Sequence, residues 1–334
     1  MAQPHCSGEG ACGPMSRPTD LHPMDPDPTD PHLTDPHRRD PDPALPAAAA
    51  PGAAPPETTL EALAERYEAL LFDVYGVLVH ATGPLPGAPE ALRWLQERGR
   101  PFFLLTNDAS KLPERAAARY RGWGLPVGPA QIVPAGALLE GHFRRRGLRG
   151  RPCAVLGTED SRAFVERAGG RVVPWESPFE VLVVADQAGF PLLEGVDGAL
   201  SGLIRRLDRG LPVHLVLPNP DLIYPKAEGF GITAGSIALV LEAALRRRYG
   251  PRAPRFQALG KPRPGLFREA LRRAGTRRAV VIGDQIETDV AGAKAAGLDA
   301  ALVTGGVARA LPSRGPRPDW LLPRLGPPGG PHAG

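Results

Sequence analysis

Residues 70–78 read LLFDVYGVL, an apolar run that is interrupted by one carboxylate, Asp73, and one glycine, Gly76. Buried parallel strands have this composition when they deliver a polar group to the carboxyl edge of a sheet. Asp73 is therefore the first candidate nucleophile. An ordinary buried strand followed by an Asp/Gly turn explains these residues equally well, so the interpretation depends on the neighbouring segments.

The segments that follow repeat the order strand, helix, strand. A helix is predicted over 88–98, where apolar residues recur at helical spacing and Gly99 ends the pattern. An apolar strand is predicted over 101–105, and Thr106 follows it. Because a right-handed crossover places neighbouring strand ends side by side, we expect Thr106 close to Asp73. Taken alone, Thr106 is explained more simply as a helix cap.

The folded part is predicted to begin with a short amphipathic helix that ends near Tyr67. Thr58 and Glu61 have the spacing of a capping box, in which the threonine side chain accepts a hydrogen bond from the main chain of the first turn. This spacing predicts Thr58 as the N-cap.

The carboxyl-terminal third contains a lysine and two carboxylates in loops. Lys261 lies in LGKPRPG at 259–265 and precedes a predicted helix, whose N-terminus favours anions. A buried strand at 279–282 is followed by Asp284 and Asp289, which can converge on one hard cation. Together with the polar groups after the first two strands, these residues describe a phosphate site that contains Mg²⁺. A final strand is predicted near 300–303, and a short apolar segment follows around 320–322.

Residues 1–56 have a different composition. They are rich in Pro, Asp, His and Ala and contain an imperfect Asp-Pro/His repeat with few large aliphatic side chains. Such a segment cannot bury enough apolar surface to offset its ordering entropy, so we predict a disordered tail, as we do for 326–334. Weak metal capture by its histidines is a less favoured alternative. The tail has no apolar core of the signal-peptide kind.

Charge and cysteine usage restrict the class of protein. The 40 basic and 36 acidic residues are spread along the chain, and no aromatic residues are interleaved with the short arginine runs, which argues against a nucleic-acid partner. No apolar run reaches the roughly 18 residues of a membrane span. Cys153 lies outside the tail without another cysteine to pair with there, which suits a reducing cytoplasm. The sequence therefore predicts a soluble, cytoplasmic protein.

Four segments resemble, in order, the motifs of the haloacid dehalogenase (HAD) superfamily. They are FDVYG at 72–76, LLTN at 104–107, LGKP at 259–262 and GDQIETDVAGAKAAG at 283–297. Three more segments are similar to the NagD-like, class IIA branch of that superfamily. They are PLPGAPEALRWLQERG at 84–99, NPDLIYP at 219–225 and AGSIALVLEAAL at 234–245.

The resemblance implies an α/β fold. A Rossmann-like parallel sheet with helices on both faces would form the core, over 57–149 and 253–325. A smaller α/β cap domain, 150–252, would be inserted into it. The predicted cap strands are 153–156, 181–185 and 213–216.

The resemblance also implies a mechanism, in which Asp73 attacks phosphorus and forms an aspartyl-phosphate. Mg²⁺ would be bound by Asp73, the main-chain carbonyl of Tyr75, Asp284 and Asp289, the last either directly or through water. The transferring phosphoryl group would be bound by Thr106, Asn107 and Lys261.

One position departs from the family pattern. Phosphatases of the superfamily have a second Asp two residues after the nucleophile, as a general acid and base, and this sequence has Tyr75 there. A phenol with a pKa near 10 is a poor substitute. The leading interpretation is a Mg²⁺-dependent phosphatase, slowed by this change. The alternatives are a phosphate-binding or regulatory protein, and C–P or C–halogen cleavage, for which the cap-side Lys226 would be a candidate Schiff-base residue.

The cap supplies specificity in the members that the chain resembles. The candidate substrate-binding residues there are Asp186, Asn219, Asp221 and Tyr224. Asp186 is also consistent with a turn cap, and Asn219 and Asp221 with a turn that only shapes the cap loop. The expected partners are a small phosphorylated metabolite and a second copy of the chain, in a homo-oligomer formed through the cap.

Overall fold

The computed structural model describes residues 54–226, 228–304 and 315–326. The helices in these ranges are α1 Leu60–Arg66, α2 Ala88–Glu97, α3 Pro113–Gly122, α4 Leu138–Arg146, α5 Glu159–Arg167, α6 Leu192–Leu207, α7 Ala234–Tyr249, α8 Gly265–Ala274 and α9 Ala291–Ala295. The strands are β1 Ala69–Asp73, β2 Val79–His80, β3 Gly83–Pro84, β4 Phe102–Thr106, β5 Ile132–Pro134, β6 Pro152–Leu156, β7 Arg171–Val172, β8 Val181–Val184, β9 His214–Leu217, β10 Ile223–Pro225, β11 Phe230–Ile232, β12 Gln257–Ala258, β13 Ala279–Gly283, β14 Asp299–Val303 and β15 Trp320–Leu322. The tail predictions for 1–53 and 327–334 lie outside the described residues.

The larger sheet is parallel and has the order β15-β14-β13-β1-β4-β5. Every residue of β1 is buried, because alternate side chains face two separate apolar layers. Leu70 and Phe72 pack in a cluster with α1, α2 and α3. Ala69 and Leu71 pack in a second cluster with α8 and α9. A strand that is covered on both faces reads as a continuous apolar run, and the fold class predicted from the sequence is confirmed.

A second parallel sheet has the order β12-β9-β8-β6-β7. Its faces are also covered on both sides, by α4 and α5 in one apolar cluster and by α6 and α7 in another. The strand β12 at 257–258, which the sequence division assigns to the core, pairs with β9 of this sheet instead. The division at residues 150 and 252 therefore stays a prediction.

Some local predictions at element ends are wrong. The N-cap of α1 is Thr59, whose side chain accepts a hydrogen bond from the main-chain N–H of Ala62 at 3.2 Å. The N–H of Thr58 is bonded to the carbonyl of Leu321, so it is not available to the Glu61 carboxylate of the predicted capping box. Pro56, which the sequence places in the tail, also binds β15. Its carbonyl accepts a hydrogen bond from the N–H of Leu321.

The segment after β13 begins as a π-helical turn, Ile286–Val290, and continues as α9, whereas the sequence predicts a regular helix from Val290. This wider turn carries the second carboxylate of the loop, Asp289. None of the helices in the three described ranges combines the length and hydropathy needed to cross a bilayer.

Candidate active site

The carboxyl edge of the larger sheet collects the polar groups that the sequence singles out. β1 ends at Asp73 and the parallel strand β4 ends at Thr106, with Asp73 opposite Leu105. On the other side of β1, the strand β13 ends at Gly283, immediately before Asp284. The strand order β13-β1-β4 therefore brings these three polar residues to one edge.

The ammonium of Lys261 bridges two carboxylates at this edge. Its Nζ lies 2.5 Å from Asp73 Oδ1 and 2.7 Å from Asp289 Oδ1. The Lys261 side chain is only 5% exposed, and a charge buried to this extent is stable only when opposite charges surround it. The sequence places Lys261 near a phosphate site, and the structure adds its direct contact with the candidate nucleophile.

Three buried carboxylates, Asp73, Asp284 and Asp289, converge near this ammonium. One oxygen from each lies within 4.8 Å of the others. Anionic oxygens at this separation are the donors that a hard divalent cation takes. A divalent cation would add positive charge at the point where the three carboxylates gather. The residues present therefore fit a divalent metal.

Two glycines keep room for these carboxylates. A Cβ on Gly76 would lie 2.3 Å from Asp284 Oδ2, and the φ of Gly76 is +92°. A Cβ on Gly283 would lie 2.3 Å from the Cβ of Asp289. In the sequence, Gly76 reads only as part of a turn. The Asp-x-x-Gly spacing after a buried strand is the signal that could indicate its close approach to Asp284.

The charges in the site are strongly coupled. Burial raises the pKa of Asp73, and the neighbouring Asp289 adds to the increase, whereas the Lys261 ammonium opposes it. Burial would by itself lower the pKa of Lys261, but Asp289 and Asp73 outweigh burial and hold that pKa above its ordinary value. Lys261 is therefore a fixed positive charge beside Asp73 and Asp289.

The two residues after β4 make different contacts. Thr106 Oγ1 accepts a hydrogen bond from the N–H of Asp108 at 3.1 Å, so its hydroxyl shapes the loop at the strand end. Asn107 is buried, and its Oδ1 accepts from the N–H of Lys261 at 2.7 Å. Asn107 therefore binds the main chain of the lysine.

Tyr75 packs against the apolar cluster below the larger sheet. Burial raises the pKa of its phenol, with Arg119 and Lys111 opposing the shift and Asp108 adding to it. A phenol with a raised pKa is an even weaker acid and base at neutral pH than an exposed one. The charged residues around Tyr75 were not singled out in the sequence, because each lies in a segment that reads as an ordinary loop or helix surface.

The four cap candidates fall into different surroundings. Asp186 is buried and its Oδ1 accepts from the N–H of Ala188 at 2.9 Å, the bond that a turn cap makes. Asn219 is also buried and binds Asp221 and Thr233, whereas Asp221 accepts from Asn107 Nδ2 at 2.8 Å. Asp221 therefore reaches a residue of the catalytic edge.

The fourth candidate, Tyr224, and the Schiff-base candidate Lys226 lie on the exposed hairpin β10–β11. Tyr224 is 36% exposed. Lys226 is exposed as well, and its Nζ lies 5.8 Å from the centre of the Tyr224 ring. Because Lys226 is exposed rather than enclosed in an apolar pocket, it does not support the C–P cleavage interpretation.

Residues at the start of α5 bind the loop after β4, and the sequence alone did not indicate these contacts. The hydroxyl of Thr158 donates to the carbonyl of Ser110 at 2.7 Å, and Ser161 donates to the carbonyl of Ala109 at 2.8 Å. Asp160 Oδ2 accepts from the N–H of Leu112 at 2.9 Å. The capping spacing from Thr158 to Ser161 at the start of α5 was a usable signal for a polar helix end, although not for its partner.

Two family models match the chain. Residues 70–171 match haloacid dehalogenase-like hydrolase, and residues 258–327 match HAD-hydrolase-like. Glycerol-3-phosphate phosphatase of Homo sapiens is 30% identical over 269 residues, which cover 74% of this chain and 82% of the relative. Ribonucleotide monophosphatase NagD of Escherichia coli K12 is 26% identical over 260 residues, which cover 77% of this chain and 96% of the relative.

Solved structures have the same fold. A p-nitrophenyl phosphatase from Archaeoglobus fulgidus superposes with a TM-score of 0.65 at 28% identity, over 78% of this chain and 97% of that one. A glycerol phosphate phosphatase from Mycobacterium tuberculosis in complex with calcium superposes with a TM-score of 0.65 at 26% identity, over 79% of this chain and 75% of that one. With the motifs at the catalytic edge, these findings lead to one conclusion: the chain belongs to the haloacid dehalogenase-like hydrolases, in their NagD-like, class IIA branch.

Proposed function

We propose that the protein is a Mg²⁺-dependent phosphatase of small phosphorylated metabolites that acts through an aspartyl-phosphate on Asp73. The observation that carries this proposal is the buried ammonium of Lys261 between Asp73 and Asp289, with Asp284 beside them. A carboxylate that is both buried and paired with a fixed cation can approach a phosphoryl group without the repulsion that two anions would otherwise have.

In the proposed reaction, Asp73 attacks phosphorus in line and the ester oxygen leaves with its bonding electrons. Water then attacks phosphorus of the aspartyl-phosphate, which releases inorganic phosphate and regenerates the carboxylate. Lys261 stays protonated and binds the phosphoryl oxygens together with main-chain N–H groups after Thr106. Asn107 keeps the main chain of Lys261 in place.

Mg²⁺ would be bound by Asp73, the main-chain carbonyl of Tyr75, Asp284 and Asp289, and would supply positive charge to the phosphoryl oxygens. The three carboxylates are hard oxygen donors that Mg²⁺ prefers, and the Mycobacterium tuberculosis relative is in complex with calcium, another hard divalent cation.

Gly76→Ala tests the room that the metal site requires. Its Cβ would lie 2.3 Å from Asp284 Oδ2, so we expect the Mg²⁺-dependent increase in melting temperature to be lost or strongly reduced. Gly99→Ala is the matched control, because Gly99 also has a positive φ, +61°, but nothing lies within 4 Å of its Cβ position. Both variants carry a backbone cost of about 1–2 kcal/mol. A full Mg²⁺ response in Gly76→Ala would show that Asp284 does not bind the metal.

Tyr75 should make the rate depend on the leaving group. Without an effective proton donor, aryl and acyl phosphates should be cleaved much faster than alkyl phosphates, whose alkoxides need a proton. Tyr75→Asp should raise the turnover of alkyl phosphates by about 10-fold or more, while Tyr75→Phe should leave it unchanged. Steady-state rates on p-nitrophenyl phosphate and glycerol phosphate measure this. Equal native rates on both substrates would mean that another group is the acid.

A second candidate function is phosphate binding without turnover, and Tyr75 is the observation that favours it. It predicts that the protein binds inorganic phosphate in the presence of Mg²⁺ while neither the native chain nor Tyr75→Asp hydrolyses any ester. The ionised Asp73 and Lys261 pair would then serve only to bind phosphate.

The substrate class is drawn from chemistry and from the relatives. Two of them are named for glycerol phosphate and one for ribonucleotides, so small polyol phosphates and nucleoside monophosphates are the first esters to examine. A homo-oligomer through the cap stays a prediction, and the exposed apolar side chains of β10–β11, such as Ile223 and Phe230, are the surface it would use.

The experiment that tests the proposed function is a panel of phosphorylated metabolites and p-nitrophenyl phosphate, assayed for phosphate release with and without Mg²⁺. We expect release that requires Mg²⁺ and that is removed by chelation and restored by added metal. Release that is independent of a divalent metal, or no release from any ester, would contradict the proposal.

A further inference from the structure

Asn107 lies where the second sheet meets the catalytic edge, and its side chain is fully engaged. Its Oδ1 accepts from the main-chain N–H of Lys261 at 2.7 Å. Its Nδ2 donates to Asp221 Oδ1 at 2.8 Å and to the main-chain carbonyl of Lys261 at 3.3 Å. Asn107 and Lys261 are each 4% exposed. The amide therefore binds both main-chain groups of the lysine, and Asp221 binds the amide.

The loop after β9 fixes Asp221 from its own side. The N–H of Asp221 donates to Asn219 Oδ1 at 3.1 Å, and its carbonyl accepts from the N–H of Gly235 at 3.0 Å. Asn219 Nδ2 in turn donates to Thr233 Oγ1 at 3.2 Å. A Cβ on Gly235 would lie 2.5 Å from the Asp221 carbonyl oxygen, so the start of α7 packs tightly against this loop. The carboxylate of Asp221 is thus presented by a rigid turn.

The loop that carries Asp221 and the loop that carries Lys261 also contact each other through their main chains. The N–H of Gly260 donates to the carbonyl of Pro218 at 3.0 Å. A Cβ on Gly260 would lie 2.4 Å from Asn107 Oδ1 and 2.7 Å from the Pro218 carbonyl oxygen. The residue before Lys261 is therefore packed between Asn107 and the loop that carries Asp221, so a displacement of that loop would move the lysine.

We propose that Asp221 is a positioning residue for the phosphate site, which acts through Asn107 to fix the main chain of Lys261. The Lys261 ammonium is then placed between Asp73 and Asp289, at 2.5 and 2.7 Å. This inference rests on the proposed function, because it assigns Lys261 to phosphate. It differs from the sequence prediction, in which Asp221 contacts the substrate: the observed Oδ1 contact of Asp221 is with a protein amide.

The side chain chemistry supports a positioning role. A carboxylate that accepts from an amide N–H orders that amide and favours the orientation in which the nitrogen faces the carboxylate. With Nδ2 turned toward Asp221, the amide oxygen necessarily faces the Lys261 N–H. Without the carboxylate, the Asn107 amide would be held only by the main chain of Lys261, so the amide and the lysine would both be placed less firmly.

The test is the affinity for inorganic phosphate, measured as a phosphate-dependent shift in melting temperature with Mg²⁺ present, for native protein, Asp221→Ala, Asp221→Asn and Asn107→Ala. Inorganic phosphate has no leaving group, so a residue that contacts only the rest of a substrate cannot affect it. We expect Asp221→Ala and Asn107→Ala each to weaken phosphate binding by about 10-fold, and the double variant to be no weaker than Asn107→Ala. Asp221→Asn retains an acceptor oxygen and should recover most of the affinity. Asp208→Ala, which removes an exposed carboxylate paired with Arg248, is the control.

Turnover gives a second readout. A positioning role predicts that kcat falls by the same factor for p-nitrophenyl phosphate and for the largest ester that is turned over. Native phosphate affinity in Asp221→Ala overturns the inference, as does a loss confined to KM for larger esters, which would make Asp221 a substrate contact. If Asp221→Ala does not fold, Asp221→Ser, whose hydroxyl is too short to reach the amide, replaces it. If the native protein binds phosphate but does not turn over any ester, the proposed function is wrong, and the phosphate affinities of the variants still decide the role of Asp221. If the native protein does not bind phosphate, both the proposed function and this inference are wrong.

Discussion

Asp73→Asn is expected to lower turnover of every phosphate ester by about 10⁴-fold or more, since an amide is not a nucleophile for phosphorus. The substitution keeps the size of the side chain at the end of β1, where the residue is 7% exposed. Burial raises the pKa of Asp73, which means that its negative charge is costly in the folded protein. Measured without Mg²⁺, the variant should therefore melt at the same temperature as the native protein or higher, so that the loss of activity cannot be attributed to unfolding.

Asp299→Asn is the matched control for this experiment. Asp299 begins β14, at the opposite edge of the larger sheet, and accepts a hydrogen bond from the Tyr67 hydroxyl at 2.6 Å. Its replacement should leave turnover unchanged. If Asp73→Asn instead retained activity within about 10-fold of the native enzyme, Asp73 would be only a metal ligand and water would attack the ester directly.

Asp284→Asn is expected to remove the stabilisation by Mg²⁺. A ligand at 100 times its dissociation constant stabilises a folded protein by about 2.7 kcal/mol, which raises the melting temperature of a protein of this size by several degrees. Asp284 is fully buried and lies with Asp73 and Asp289 in the acidic group, and an amide is a weaker ligand for a hard cation than a carboxylate. The native shift should disappear in the variant at the same Mg²⁺ concentration.

The same melting experiment on Asp299→Asn should give the native Mg²⁺ shift. Activity of Asp284→Asn should fall in parallel with its metal affinity and recover in part at much higher Mg²⁺. A native protein with no shift at any Mg²⁺ concentration, or a variant with the full shift, would mean that the cation does not bind at these carboxylates.

The residues that could be predicted from the sequence are those that a single strand or loop places. β1 reads as a buried strand because both of its faces are covered, and Asp73 follows from where that strand ends. Thr106 follows in the same way, since adjacent parallel strands end at the same edge. Short-range signals therefore account for most of the catalytic edge.

Contacts between distant segments could not be predicted. Asn107 and Asp221 are far apart in sequence, and their hydrogen bond depends on how the loop after β9 meets the loop after β4. No periodicity or spacing in either loop specifies the other. The same limit explains why the sequence suggests a substrate role for Asp221 and leaves Gly76 as an ordinary turn residue, although it faces Asp284.

The exact start of a helix could not be predicted where neighbouring residues suit the same local structure. Thr58 and Thr59 have similar capping propensity, and the sequence cannot reveal that the main chain of Thr58 is already bonded to Leu321. The π-helical turn at Ile286–Val290 is similar, because it forms where the sequence predicts a loop, and its width is associated with the buried position of Asp289. Tertiary contacts select between local alternatives of nearly equal free energy in both cases.

The central claim is that Asp73 becomes covalently phosphorylated, and chemical trapping tests it most directly. The enzyme is mixed with Mg²⁺ and p-nitrophenyl phosphate, quenched during turnover, and treated with borohydride, which reduces an acyl phosphate to an alcohol. Mass spectrometry of the peptide that contains residues 70–78 then identifies the reduced residue. We predict homoserine at position 73, only when substrate is present and never in Asp73→Asn. Reduction at another residue, or steady turnover with no reduced residue anywhere in the chain, would contradict the account.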